Sequence, residues 1–107
     1  MEPQGVERRL AAILCADVVG YSRLMGEDEE ATLLTLNLYR QVIDRQVASH
    51  RGRVFGSAGD SVIAEFASPV EAVRCAVAIQ QTLEKRNAEL PEDRKMHFRI
   101  GINLGDV

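Results

Sequence analysis

The stretch RVFGSAGDSVIAEF, residues 53–66, holds two short β-prone segments, Arg53 to Gly56 and Ser61 to Phe66, on either side of Ser57-Ala58-Gly59-Asp60. Branched and aromatic side chains suit a pleated surface, whereas small residues and a Gly-Asp pair suit a chain reversal. The stretch therefore predicts a β-hairpin with Asp60 in its connection.

On the carboxyl side, Ser68-Pro69-Val70-Glu71 combines a serine N-cap, proline at the first helical position and glutamate three residues after the cap. A helix follows from there to about Asn87, with Val73, Ala76, Val77 and Leu83 assigned to one side, and a polar linker containing Pro91 ends it. From Met96 the pattern alternates, with Phe98, Ile100, Ile102 and Leu104 on one face and Arg99, Gly101, Asn103 and Gly105 on the other. Period two predicts a strand.

On the amino side, Leu10 to Val19 (LAAILCADVV) is an apolar run whose length suits a strand buried on both faces, interrupted by one charge, Asp17. Glu27-Asp28-Glu29-Glu30 places acidic groups at a helix amino terminus, where unpaired N–H groups and the positive dipole end favour them. The spacing predicts a helix over 28–49, with Leu34, Leu38 and Val42 on its apolar face beside Tyr39, Ile43 and Val47, stopped by Gly52. The order is strand, helix, strand, strand, helix, strand. That is the ferredoxin-like βαββαβ sandwich, an α+β fold, in one domain over residues 1–107.

Topology then predicts a meeting. In this fold the third strand lies between the first and the second, antiparallel to both, so the hairpin sits beside the exit of the first strand. Asp17 and Asp60 arrive at one sheet edge. Each alone reads as an ordinary turn former; held together, two carboxylates repel unless a cation is shared. Neither has a basic neighbour in sequence, and hard oxygen donors suit Mg²⁺ or Mn²⁺. Gly20, in the loop Val18-Val19-Gly20-Tyr21-Ser22, allows close backbone approach to phosphate oxygens. Walker A and GxGxxG patterns are absent from the 107 residues.

Composition bounds the remaining classes. Hydrophobic residues are 46% and charged residues 27%, as in an ordinary globular domain. The 13 basic and 16 acidic residues are mixed along the chain for a net charge of -3, which argues against a nucleic-acid partner. No run approaches the roughly 18 apolar residues of a membrane span, and Met1 to Arg9 lacks the apolar region of a secretory signal, so a cytoplasmic location is expected. Cys15 and Cys75 read as small buried hydrophobes rather than a disulfide pair. His50 and His97 are isolated and read as surface or satisfied histidines, and Met25 and Tyr21 as core residues.

Three blocks in register, RRLAAILCADVVGYSRLMGEDEEAT, GRVFGSAGDSVIAEF and FRIGINLGDV, resemble class III adenylate/guanylate cyclases of bacterial cytosolic type, from about Arg8 to Val107. The resemblance implies two metal ions, Mg²⁺ or Mn²⁺, on Asp17 and Asp60, with the backbone of Val18 on metal and Val19, Gly20, Tyr21 and Ser22 against phosphates. It implies conversion of a nucleoside triphosphate, ATP rather than GTP, to the 3′,5′-cyclic monophosphate and pyrophosphate, in a family-type homodimer. Many adenylate-forming relatives carry a base-reading lysine four residues before the second aspartate; that position here is Gly56. The chain stops at Val107, after the fourth strand, before the segments that in relatives carry a second base-reading residue and an asparagine and arginine acting on the transferring phosphate. Little turnover is therefore expected of these 107 residues alone. A catalytically silent cyclase-like module and a plain ferredoxin-like interaction domain are the alternatives.

Overall fold

The computed structural model describes residues 10–106; Met1 to Arg9 and Val107 lie outside the described residues. The elements are β1 (Leu10–Val18), α1 (Tyr21–Glu27), α2 (Glu29–Ser49), β2 (Gly52–Ala58), β3 (Ser61–Phe66), α3 (Pro69–Asn87) and β4 (Phe98–Asp106), with a 3₁₀ turn at Glu92–Arg94 before β4. The strands form one sheet in the order β2-β3-β1-β4, every neighbouring pair antiparallel. This is the ferredoxin-like arrangement expected from the element order, with β3 between β1 and β2. The short helix α1 is additional.

Both predicted helix starts are present. Asp28 caps α2 by accepting from the Ala31 N–H at 3.1 Å, with Glu29 and Glu30 in the first turn. Ser68 caps α3 by accepting from the Glu71 N–H at 3.2 Å, with Pro69 next in the chain. The stop of α2 differs from expectation, because Arg51 takes the left-handed conformation at φ 64 and Gly52 begins β2. Gly52 answers a packing demand instead: a Cβ there would lie 2.4 Å from the Phe66 ring.

The core fills one side of the sheet. Ala12, Leu14, Ala16 and Val18 of β1 are buried there with Val62, Ala64 and Phe66 of β3, under α2 and α3. On the opposite face β1 presents Ile13, Cys15 and Asp17, paired with Glu65 and Ile63 of β3 and with Asn103, Gly101 and Arg99 of β4. That face is open, which corrects the expectation that β1 is buried on both sides. Cys15 is accordingly exposed, against expectation, while Cys75 is buried.

The expected helix faces hold in part: Tyr39, Val42, Ile43, Val47 and Leu83 are buried as expected. Thr32, Leu36, Tyr39, Val42, Ile43 and Val47 form the buried stripe of α2, whereas Leu34 is 64% and Leu38 44% exposed. At about 100° per residue, Leu34 and Leu38 each sit nearly opposite Leu36. On α3 the buried stripe is Ala72, Cys75, Ile79 and Leu83, and Val73 and Val77 face outward. The stripes include Thr32, Ala72 and Cys75, which a count of aliphatic residues does not mark.

One buried polar cluster ties the helices to β4. The Asn87 side-chain oxygen accepts from the Tyr39 hydroxyl at 2.7 Å and from the Met96 N–H at 3.1 Å, and its amide donates to the Met96 carbonyl at 2.9 Å. Asn87 thus makes three hydrogen bonds at the point where the chain turns towards β4. Burial pushes the Tyr39 phenol pKa upward, with the nearby Arg86 charge opposing.

Candidate functional site

The exit of β1 and the β2–β3 hairpin meet as topology requires. β2 runs to Ala58, two residues further than expected, so the turn is Gly59-Asp60 alone, with Gly59 at φ 57. Asp60 turns its carboxylate back across the sheet edge, and its Oδ2 accepts from the Val18 N–H at 3.0 Å. The hairpin carboxylate therefore lies against the residue that follows Asp17. Two acidic side chains separated in sequence by two helices and a strand reach one end of the sheet.

Asp17 has a partner that its sequence neighbours do not reveal. The β1–β4 register sets Arg99 opposite it, and the Arg99 Nε donates to Asp17 Oδ1 at 3.1 Å. No basic residue neighbours Asp17 in sequence, but this cross-strand pair gives it a cationic partner besides any metal. The signal was present in the alternation of β4, which places Arg99 on the open face; what sequence lacked was the register. The pair is open to solvent, with side chains 72% and 44% exposed, so its net worth is about 0–1 kcal/mol.

The loop beyond β1 is held from below. The Val19 N–H donates to the His97 carbonyl at 2.8 Å, and Gly20 adopts the left-handed conformation at φ 68 that lets the chain turn directly into α1. The first amides of α1, around Tyr21 and Ser22, have no carbonyl of a preceding turn to pair with. Behind them the buried Thr32 hydroxyl donates to the Leu24 carbonyl at 2.8 Å and accepts from Arg94 at 2.8 Å, anchoring α1 to α2 and to the 3₁₀ turn. Tyr21 packs against the core, as expected of it.

Gly56 lies opposite Ile63 on the open face, beside a register shift between Val54 and Gly56 that leaves Phe55 half exposed under the Arg53 guanidinium, 6.0 Å from the ring centre. A Cβ at Gly56 would meet Ile63 at an ordinary 3.7 Å. Glycine is not there for want of space.

His50 bonds to the Gln46 carbonyl at the end of α2, and His97 uses its backbone carbonyl on Val19. Among the described residues no three His, Cys, Asp or Glu side chains gather as a metal cluster. The donors at the β1 exit are thus two carboxylates, of which Asp17 Oδ2 and Asp60 Oδ1 have no hydrogen-bond partner among the described residues. Mg²⁺ sites commonly have this composition, with water and phosphate oxygens completing the shell. The residues fit such an ion.

No protein-family model matches the chain. Its sequence is 50% identical over 108 residues to the Rhizobium meliloti protein "Putative adenylate cyclase 3", taking in 100% of this chain and 18% of that protein. Among solved structures, an adenylate/guanylate cyclase/hydrolase from Silicibacter pomeroyi superposes with a TM-score of 0.84 at 44% identity, covering 94% of this chain and 59% of that one. The guanylyl cyclase Cya2 superposes with a TM-score of 0.80 at 26% identity, covering 96% and 57%. The chain spans under a fifth of the first relative and about three-fifths of each solved chain.

Proposed function

Because the chain belongs to the class III adenylyl/guanylyl cyclase family, we propose that its Asp17 and Asp60 hold two divalent ions, Mg²⁺ or Mn²⁺, for cyclisation of a nucleoside triphosphate to its 3′,5′-cyclic monophosphate with release of pyrophosphate. The observation that carries this reading is the Asp60 carboxylate at 3.0 Å from the Val18 N–H, which brings the hairpin acid to the exit of β1 beside Asp17. Bound metal would supply activation of the ribose 3′-hydroxyl and charge neutralisation on the phosphates.

The chain's own residues do the rest of what this half of a site requires. The Val18 N–H orients Asp60, and Arg99 balances Asp17 until a divalent ion takes the carboxylate. Because that pair is exposed and weak, a divalent ion would displace it from Asp17 at little cost. The Val18 carbonyl is the proposed backbone ligand. Val19, Gly20, Tyr21 and Ser22 are proposed to line the phosphates, with Gly20 admitting close approach.

ATP is the proposed nucleotide, in keeping with the adenylate cyclase relative. Gly56 offers no charged side chain at the position where many adenylate-forming relatives carry a lysine. A family-type homodimer is the proposed assembly, and cyclic-nucleotide signalling in the cytoplasm the proposed setting. No helix among the described residues is long and apolar enough to cross a membrane.

The test is mass spectrometry for cyclic nucleotide and pyrophosphate after incubation with MnATP or MnGTP. A protein carrying this chain with the remainder of a cyclase domain is expected to turn over, and Asp17→Ala or Asp60→Ala to abolish it. The 107-residue polypeptide alone is expected to give no multiple turnover. Unchanged turnover in both variants would contradict the assignment.

A further inference from the structure

We propose that Arg40, in the middle of α2, is a positioning residue for this site: its guanidinium fixes the hairpin turn from which Asp60 reaches β1. The Arg40 Nη1 donates to the Gly59 carbonyl at 3.2 Å. That carbonyl belongs to the peptide unit joining Gly59 to Asp60. A peptide unit is planar, so fixing its oxygen fixes the direction in which the Asp60 backbone leaves the turn.

Across the turn the Ser61 hydroxyl donates to the Ala58 carbonyl at 2.9 Å, which closes the hairpin but leaves the Gly59 carbonyl to Arg40. Ser57, Ala58 and Gly59 are exposed, and no neighbouring atom lies within 4 Å of where a Gly59 Cβ would be. Gly59 sits in the left-handed region at φ 57, and β2 is the outer strand of the sheet with a register shift partway along it. Asp60 is held inward by the Val18 N–H, and Arg40 supplies the hold from the helix layer. With both in place the carboxylate is constrained from two sides.

Arginine suits the span. From Arg40 to the end of α2 the helix covers about 14 Å at 1.5 Å per residue, while β2 climbs about 20 Å from Gly52 to Ala58 at 3.3 Å per residue. A long side chain is needed to cross from mid-helix to the hairpin tip. The bond is exposed, so it adds little to global stability, and its loss is felt in where Asp60 stands rather than in whether the chain folds.

The inference rests on the reading of Asp60 as a metal ligand, and the experiment separates the two. Arg40→Ala, Arg40→Lys and Asp60→Ala are compared with wild type by three measurements: the Val18 amide proton resonance without metal, Mn²⁺ affinity with ATP present, and the urea midpoint. Arg40→Ala is expected to move the Val18 amide resonance, to lower Mn²⁺ affinity about 10-fold and to leave the urea midpoint in place. Arg40→Lys should recover part of both the resonance and the affinity. A wild-type Val18 resonance and wild-type affinity in Arg40→Ala overturn the role of Arg40 while leaving Asp60 as a ligand, provided Asp60→Ala loses the ion. A fall in affinity that follows a fall in urea midpoint reduces Arg40 to a structural residue and also overturns it. Wild-type Mn²⁺ affinity in Asp60→Ala overturns both readings.

Discussion

Replacing Asn87 with alanine should destabilise the fold more than any other single polar deletion among the described residues. The side chain is 5% exposed and makes three hydrogen bonds, to the Tyr39 hydroxyl and to both the N–H and the carbonyl of Met96. Alanine leaves all three partners without Asn87, in an interior that includes Met96 at 1% and Tyr39 at 3% exposure. At about 1–3 kcal/mol for each orphaned group, and with water able to enter from the groove lined by Gln80, Asn87 and His97, a loss of about 3–5 kcal/mol follows. Tyr39→Phe removes one donor and leaves the Asn87 oxygen its bond from Met96, so about 1–1.5 kcal/mol is expected. Urea unfolding of wild type, both single variants and the double variant gives the cycle. With Asn87 already gone, Tyr39→Phe should be neutral or stabilising, since it removes an orphaned hydroxyl. An Asn87→Ala loss below about 1 kcal/mol, or strict additivity of the two changes, would refute the clamp.

Three further outcomes are expected. Leu36→Ala should cost about 2–4 kcal/mol, whereas Leu34→Gln, on the outward face, should stay within about 0.5 kcal/mol, both by urea unfolding. Cys15 should react with iodoacetamide in the folded chain and Cys75 only after unfolding, as a mass count of adducts would show. Burial, reinforced by the Glu71 charge, pushes the Cys75 thiol from 9.0 up to about 11. A group whose pKa is higher folded than unfolded adds stability that is complete below the unfolded value, so stability should decline as pH rises from about 9 through 11. Tyr39, raised by burial, acts in the same direction at alkaline pH.

The hairpin, both capped helix starts and the alternation of β4 were legible because each rests on local chemistry: a Gly-Asp reversal, a side-chain cap, a period of two. The pairing of β1 with β3 followed from element order, and with it the approach of Asp60 to the end of β1. Quantities set by the third dimension were not legible. The buried stripes of α2 and α3 include Thr32, Ala72 and Cys75, which aliphatic periodicity does not mark, so Leu34, Leu38, Val73 and Val77 pointed to the wrong faces. Cys15 and the uncovered sheet face share one cause, since an apolar run does not say whether one face or two will be covered. Arg99 opposite Asp17 required the register of β4, and Arg40 at Gly59 required the distance from α2 to the hairpin.

The proposed chemistry requires Asp17 and Asp60 to act together on metal. The most direct measurement is the number of Mn²⁺ ions bound per chain, counted by electron paramagnetic resonance during titration in the presence of excess ATP. Wild type is predicted to bind two ions with the nucleotide beyond what free ATP holds, and Asp17→Ala and Asp60→Ala each to lose that binding while keeping the wild-type urea midpoint. Identical ion counts and affinities in all three proteins would contradict the account and leave a ferredoxin-like interaction domain in its place.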